Sequence, residues 1–133
     1  MPETRAPGSS QVYPAESDSL LADVRRFVAA ASEPYLEQPS IHDLVLAVTE
    51  ACANAIRHSG SDEIRVTVAV TGPCVEIIVA DNGVYRMSLP VIDDDPGSHR
   101  GLYLMAAMVD DFSLHRGTAA KAGTTVRLLK CAS

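Results

Sequence analysis

The sequence has little of what marks a membrane-bound, secreted or nucleic-acid-binding chain. No apolar run approaches the roughly 18 residues of a membrane span, and the opening residues 1–11 are polar with no signal-peptide core. The chain is therefore expected to act in the cytoplasm. Basic residues are few: 11 Lys and Arg stand against 17 Asp and Glu, a formal charge of -6, which argues against binding directly to nucleic acid or to an anionic membrane. The three cysteines, Cys52, Cys74 and Cys131, are odd in number, far apart and set among apolar neighbours. Neither a disulfide framework nor a zinc site is expected of them, and buried free thiols are. The histidines His42, His58, His99 and His115 lack metal-ligand spacing with one another or with the cysteines. There is no internal repeat. With 133 residues there is room for one core, so a flexible N-terminus over 1–10 and a single domain over 11–133 are expected, and any protein substrate must come from outside.

What is present is ordinary globular patterning, with 47% apolar and 21% charged residues. Gln11–Ala15 is a candidate first strand. A helix is predicted over Ser17–Ala31, capped by Ser17, with Leu20, Leu21, Val24, Phe27 and Val28 at helical spacing and Pro34 beyond its end. A second helix is predicted from Ser40, as cap, to His58, with Gly60 as the stop. Alternation over Glu63–Val70, the Gly72-Pro73 turn and the apolar run Val75–Ala80 read as a hairpin. Residues 81–98, with the acidic run Asp93-Asp94-Asp95, read as a long loop, and loops of that length in small domains are usually functional. A short helix over Gly101–Val109 and strands over Phe112–His115 and Thr124–Lys130 complete an α+β two-layer sandwich, with a mixed, mostly antiparallel sheet covered by helices on one face.

Placed at about 100° per residue, the second helix shows two stripes. Ile41, Leu44, Val45, Val48, Ala51, Cys52, Ala55 and Ile56 form the expected core face. Asp43, Ala47, Glu50, Asn54 and His58 follow i, i+4 spacing on its flank. Glu50 and Asn54, one turn apart among small residues, offer either hard oxygen donors for Mg²⁺ and a carboxylate base, or a solvated helix-stabilising polar pair. Asp81-Asn82-Gly83 ends an apolar strand, an arrangement that lets a flat ligand approach the backbone or simply turns the chain. In residues 97–105, glycines run into a helix N-terminus, where free N–H groups favour phosphate. Gly123-Thr124-Thr125-Val126-Arg127-Leu128 is a glycine-started strand that could face the same cleft.

In this order and at these separations the four segments resemble the N, G1, G2 and G3 boxes of the GHKL ATPase superfamily. The stretches 46–58, 79–83, 100–105 and 123–126 look most like the RsbW-type anti-sigma-factor serine/threonine kinases of bacteria, and the likeness runs from about residue 12 to 130. The resemblance implies a Bergerat-type fold, a site for ATP and Mg²⁺, and a lid over Val84–His99. Carried onto this chain, it implies Asn54 as the Mg²⁺ ligand and Glu50 as the base. It implies Asp81 as acceptor for the adenine amino group, Gly83 as space for the ring, Arg100, Gly101 and Leu102 along the phosphates, and Thr125 at the adenine end. Arg86 is a further candidate for the terminal phosphate. The implied partners are a sigma factor and a STAS-type anti-anti-sigma protein, in a homodimer serving a stress response. Two positions depart from the family pattern. Tyr85 stands where the G1 box has a second glycine, and His99 where the G2 box begins with one. A degenerate regulator that binds ATP without turnover, or acts by partner exchange alone, is the alternative; a histidine kinase working in trans would lack its phosphoaccepting helical domain.

Overall fold

The computed structural model describes residues 8–58, 61–83, 103–115 and 123–133, the side chain of His58 excepted. The lid expected over Val84–His99, with Tyr85, Arg86, the three aspartates and His99, and also Arg100, Gly101 and Leu102, lie outside the described residues.

Among the described residues, five strands and two long helices follow one another as β1 (Ser9–Pro14), α1 (Leu20–Ser32), α2 (Gln38–His58), β2 (Glu63–Thr71), β3 (Cys74–Asp81), β4 (Asp111–His115) and β5 (Thr125–Cys131). Residues 103–108 add a short helix, α3, before β4. The strands form one sheet in the order β1-β2-β3-β5-β4. Each described pairing is antiparallel, so the mixed sheet that was expected is antiparallel throughout these residues. β1 starts two residues earlier than expected, with Ser9 and Ser10 opposite Val68 and Thr67.

The β2–β3 hairpin turns through Gly72-Pro73 between the opposed residues Thr71 and Cys74. Gly72 has φ +56, and with Pro73 confined to negative φ this is the requirement of a type II′ turn, whose twist matches the strands. Alternation then divides the sheet. Ile64, Val66 and Val68, Val75, Ile77 and Val79, and Val126 and Leu128 point to the helices and are buried with Leu20, Val24 and Val28 of α1 and Leu44, Val48 and Cys52 of α2. Met105 of α3 is also fully buried in this core.

The helix ends differ from expectation in detail. Ser17 does not cap α1: the helix starts at Leu20, and Ser17 Oγ accepts the Ser19 N–H at 3.3 Å two residues ahead of it. α2 begins at Gln38, with Pro39 inside its first turn, where a missing N–H costs nothing. Ser40 Oγ donates to Glu37 Oε1 at 2.8 Å while the Glu37 carbonyl accepts the Ile41 N–H at 3.0 Å, so Glu37 is the capping position. The Ser40 hydrogen bond holds the Glu37 carboxyl below its usual value.

The face that α2 buries is rotated from the expected one. Ile41, Leu44, Val48, Ala51, Cys52 and Ala55 are buried as expected, but so are Ala47 and Asn54 of the flank, while Ile56 is 41% exposed. The buried arc is displaced by about 50° toward the flank stripe. The sheet therefore meets the small residues Ala47 and Ala51, which allow close approach, and leaves Ile56 outside.

Candidate functional site

Where α2 crosses the ends of β3 and β5 the small residues open a narrow crevice. It has about 10 Å³ open to the centre of a water molecule and lies between Ala51, Asn54 and Ala55 of the helix and Val79, Asp81, Thr124, Val126 and Leu114 of the sheet side. Its walls are mostly apolar, and its polar groups come from Asn54, Asp81 and Thr124.

Asp81 is held on both sides of its backbone. Its N–H donates to the Thr124 carbonyl at 3.0 Å. Its Oδ1 accepts the Gly83 N–H at 2.9 Å and the Thr124 N–H at 3.3 Å. The Gly123 N–H donates to the Gly83 carbonyl at 2.9 Å, which brings the two glycine segments side by side. Gly123 has φ +113, and a Cβ there would meet the Asp81 carbonyl at 3.3 Å. The loop end of β3 is tied further by Ser61, whose Oγ accepts the Asn82 N–H at 3.1 Å. This corner of the crevice is thus braced by backbone donors that act on one carboxylate.

Asn54 reaches the same crevice from α2 and is buried, 3% exposed, with its Oδ1 accepting Arg57 Nη2 at 3.1 Å. Glu50, one turn earlier, is half-buried and not among the crevice-lining residues. Of the expected residues, the fold therefore brings Asn54 and Asp81 into one crevice, with Gly83 at its rim through the Asp81 contact. Thr125 is not part of it. In β5, Val126 and Leu128 face the helices, so Thr125, opposite Ala80, faces away, and Thr124 is the threonine that lines the crevice. The period of two in Val126 and Leu128 was the available sequence signal for Thr124. Arg127, grouped with the cleft strand, also turns outward. It donates through Nε to Glu76 Oε2 and through Nη1 to Asp111 Oδ2, the latter at 3.1 Å, and the Glu76 hydrogen bond leads in raising its pKa above the usual arginine value.

The cysteines overturn the expectation of three free thiols. Cys74 and Cys131 form a disulfide, and only Cys52 is free, buried in the core with its thiol pushed up to about 12 by desolvation. The two bonded residues are 57 apart in sequence, and become neighbours only because β3 and β5 pair. Among the described residues no group of His, Cys, Asp and Glu is arranged to hold a metal by itself, and no helix is long and apolar enough to cross a membrane.

The two-layer sandwich thus sets a helix amide and a strand-end carboxylate in one crevice between α2 and the ends of β3 and β5. The chain belongs to the histidine kinase-like ATPase domain family, whose model matches residues 13–130. Within it, the serine-protein kinase RsbW of Bacillus cereus (strain AH187) is 32% identical over 90 residues, 56% of this chain and 56% of that one. The RsbW of Bacillus thuringiensis subsp. konkukian (strain 97-27) matches to the same extent. This match spans just over half the length of these curated relatives. Among solved structures, the RsbU and RsbW domains of Rv1364c from Mycobacterium tuberculosis share the fold over 95% of this chain and 32% of that one, with a TM-score of 0.72 and 23% identity. The histidine kinase domain of the Erythrobacter litoralis EL346 blue-light activated histidine kinase covers 84% of this chain and 60% of its own, with a TM-score of 0.55 and 17% identity.

Proposed function

We propose that the chain binds Mg²⁺-ATP in this crevice and acts as an RsbW-type anti-sigma factor and protein serine kinase. The observation that carries the reading is the meeting of Asn54 and Asp81 at one narrow, apolar-walled crevice. Ala51, Val79 and Val126 supply the apolar lining that a purine ring would need, and the Asp81 carboxylate would accept from its exocyclic amine once the narrow crevice widens to admit it. Thr124 takes the supporting place that was expected of Thr125. Asn54 offers a hard oxygen to Mg²⁺, which when bound neutralises phosphate charge. Arg100, Gly101 and Leu102 are proposed along the phosphates on their sequence pattern alone. Glu50 is the proposed base: it takes the proton of an incoming seryl hydroxyl as that oxygen attacks the γ-phosphorus and ADP leaves.

The protein partners follow from the similarity to RsbW. They are a sigma factor that is sequestered and a STAS-type anti-anti-sigma protein that is phosphorylated, with the chain acting as a homodimer in the cytoplasm. The test is transfer of label from γ-labelled ATP to a serine of a STAS partner. Transfer is expected from the wild type and loss of it from Glu50→Gln, with ATP affinity retained. Equal absence of transfer from both, under conditions where ATP binds, rejects the kinase reading.

One observation favours a second reading, a nucleotide-responsive partner-exchange module without turnover. The Asn54 oxygen that would meet Mg²⁺ is engaged by Arg57, so metal binding must displace a guanidinium. ATP binding that is insensitive to Mg²⁺, with no phosphoserine formed, supports this alternative.

A further inference from the structure

The Cys74–Cys131 bond lies on the sheet face away from the helices. Val75, Ile77 and Val79 point inward, so Cys74 shares the outward side with Glu76 and Ile78, and Cys131 shares it with Arg127 and Leu129. Both residues are half-buried on that face, whereas Cys52 is buried in the core. They lie at the opposite end of β3 from Asp81, about 24 Å along the strand at the usual rise, so the bond is no part of the nucleotide crevice.

The sheet itself sets their separation. Hydrogen bonds from the Asp81 N–H to the Thr124 carbonyl and from the Ala132 N–H to the Pro73 carbonyl fix the β3–β5 register at both ends. In that register Cys74 and Cys131 are directly opposed at a position that exchanges no backbone hydrogen bonds, the closer of the two antiparallel pair types, and their Cα atoms are 3.9 Å apart. Cys131 is anchored independently by its N–H, which donates to Asp110 Oδ2 at 2.7 Å. The ladder would hold the two thiols together with or without the bond, and paired thiols held within reach of one another exchange readily with an external disulfide.

We propose that Cys74 and Cys131 form a reversible thiol–disulfide exchange site, whose co-reactants are a small-molecule disulfide of the glutathione class and the corresponding thiol. In oxidation, one cysteine thiolate attacks a sulfur of the external disulfide, forming a mixed disulfide and releasing one thiolate. The second cysteine thiolate then attacks the protein sulfur of that mixed disulfide, closing Cys74–Cys131 and releasing the second thiolate. The two protons lost by the cysteines end on the two released thiols; the protein pair is oxidised by two electrons and the external disulfide is reduced. Excess thiol reverses both steps. In a reducing compartment the resting form is the dithiol, and oxidative stress closes it. The same strand end supports α3, since Lys130 Nζ donates to the Met108 carbonyl at 2.9 Å and the Asp110 N–H to the Leu129 carbonyl at 2.8 Å.

The test starts from reduced, folded protein freed of reductant, exposed to oxidised glutathione, alkylated and weighed intact by mass spectrometry. The wild type is expected to lose two alkylatable thiols with no glutathione retained, and to recover both on adding reduced glutathione. Cys74→Ser and Cys131→Ser are each expected to trap one glutathione, and Cys52→Ala to close the bond as the wild type does. Cys74→Ala and Cys131→Ala repeat the measurement, with circular dichroism confirming a folded chain: each remaining thiol is expected to take one glutathione. Retention of glutathione by the wild type, alkylation of both thiols despite the oxidant, or a bond that reduced glutathione does not reopen in the folded protein each overturns the proposal.

Discussion

Asp81 and Thr124 hold one another through two hydrogen bonds, the Asp81 N–H to the Thr124 carbonyl and the Thr124 N–H to Asp81 Oδ1. The residue proposed to read the adenine is thereby also the one that joins the end of β3 to the segment entering β5. Asp81→Asn keeps the side-chain shape but has a single carbonyl oxygen, which can serve the backbone donors or the ligand and not both. ATP affinity measured by calorimetry is expected to fall tenfold or more, about 1.4 kcal/mol or above. The folded chain should lose only about 1 kcal/mol. Unchanged affinity in a folded variant would remove Asp81 from the nucleotide site.

In the proposed site, Asn54 and Arg57 are expected to set the metal dependence of ATP binding. Removing the guanidinium frees the Asn54 oxygen, so Arg57→Ala is expected to strengthen ATP binding in the presence of Mg²⁺ and leave it unaltered in EDTA. Asn54→Ala is expected to bring the two conditions together. Equal Mg²⁺ dependence in the wild type and Asn54→Ala would show that the ion is held elsewhere.

On the outward face, Glu76 is 3% exposed and its Oε2 accepts from Arg127 Nε, while Arg127 spans to Asp111 on β4. Arg127→Met takes the guanidinium from a buried carboxylate and should cost about 1–3 kcal/mol in urea unfolding, less than a fully buried pair because Arg127 is partly exposed. The double variant with Glu76→Met should lose less than the two single changes summed. Strict additivity would mean that the pair contributes no coupling.

Cys52 predicts an alkaline limit. Its thiol is pushed up to about 12 in the folded protein from an ordinary 9.0, so the fold favours the protonated form. That contribution is complete below about pH 9 and is lost as pH rises toward the folded value, with a slope of at most about 1.4 kcal/mol per pH unit. Cys52→Ala should flatten the stability profile between pH 9 and 11, at some cost in packing. A profile identical to the wild type would show that other groups control the alkaline loss.

Element types were largely legible because they depend on local pattern. The alternation of Val and Ile located β2 and β3 within a residue or two, and the Gly-Pro turn joined them. Helical spacing located α1 and α2, with errors at their starts: α1 begins at Leu20 with no side-chain capping bond from Ser19, and α2 begins at Gln38 after Glu37, whose carboxylate Ser40 Oγ contacts. Of the residues the sequence singled out, Asn54 and Asp81 lie at one crevice, which Thr124 lines and Thr125, on the other side of the strand, does not.

The sequence by itself determined the order of helices and strands and most of the apolar stripe of each, because these rest on short-range periodicity and residue chemistry. Only the tertiary structure decided that α2 buries Ala47 and Asn54 and exposes Ile56, since rotation of a helix on a sheet follows from which side chains permit close approach. It also decided that Cys74 meets Cys131. That contact exists because β5 inserts between β3 and β4 in the sheet, a strand order that no local pattern in the chain encodes.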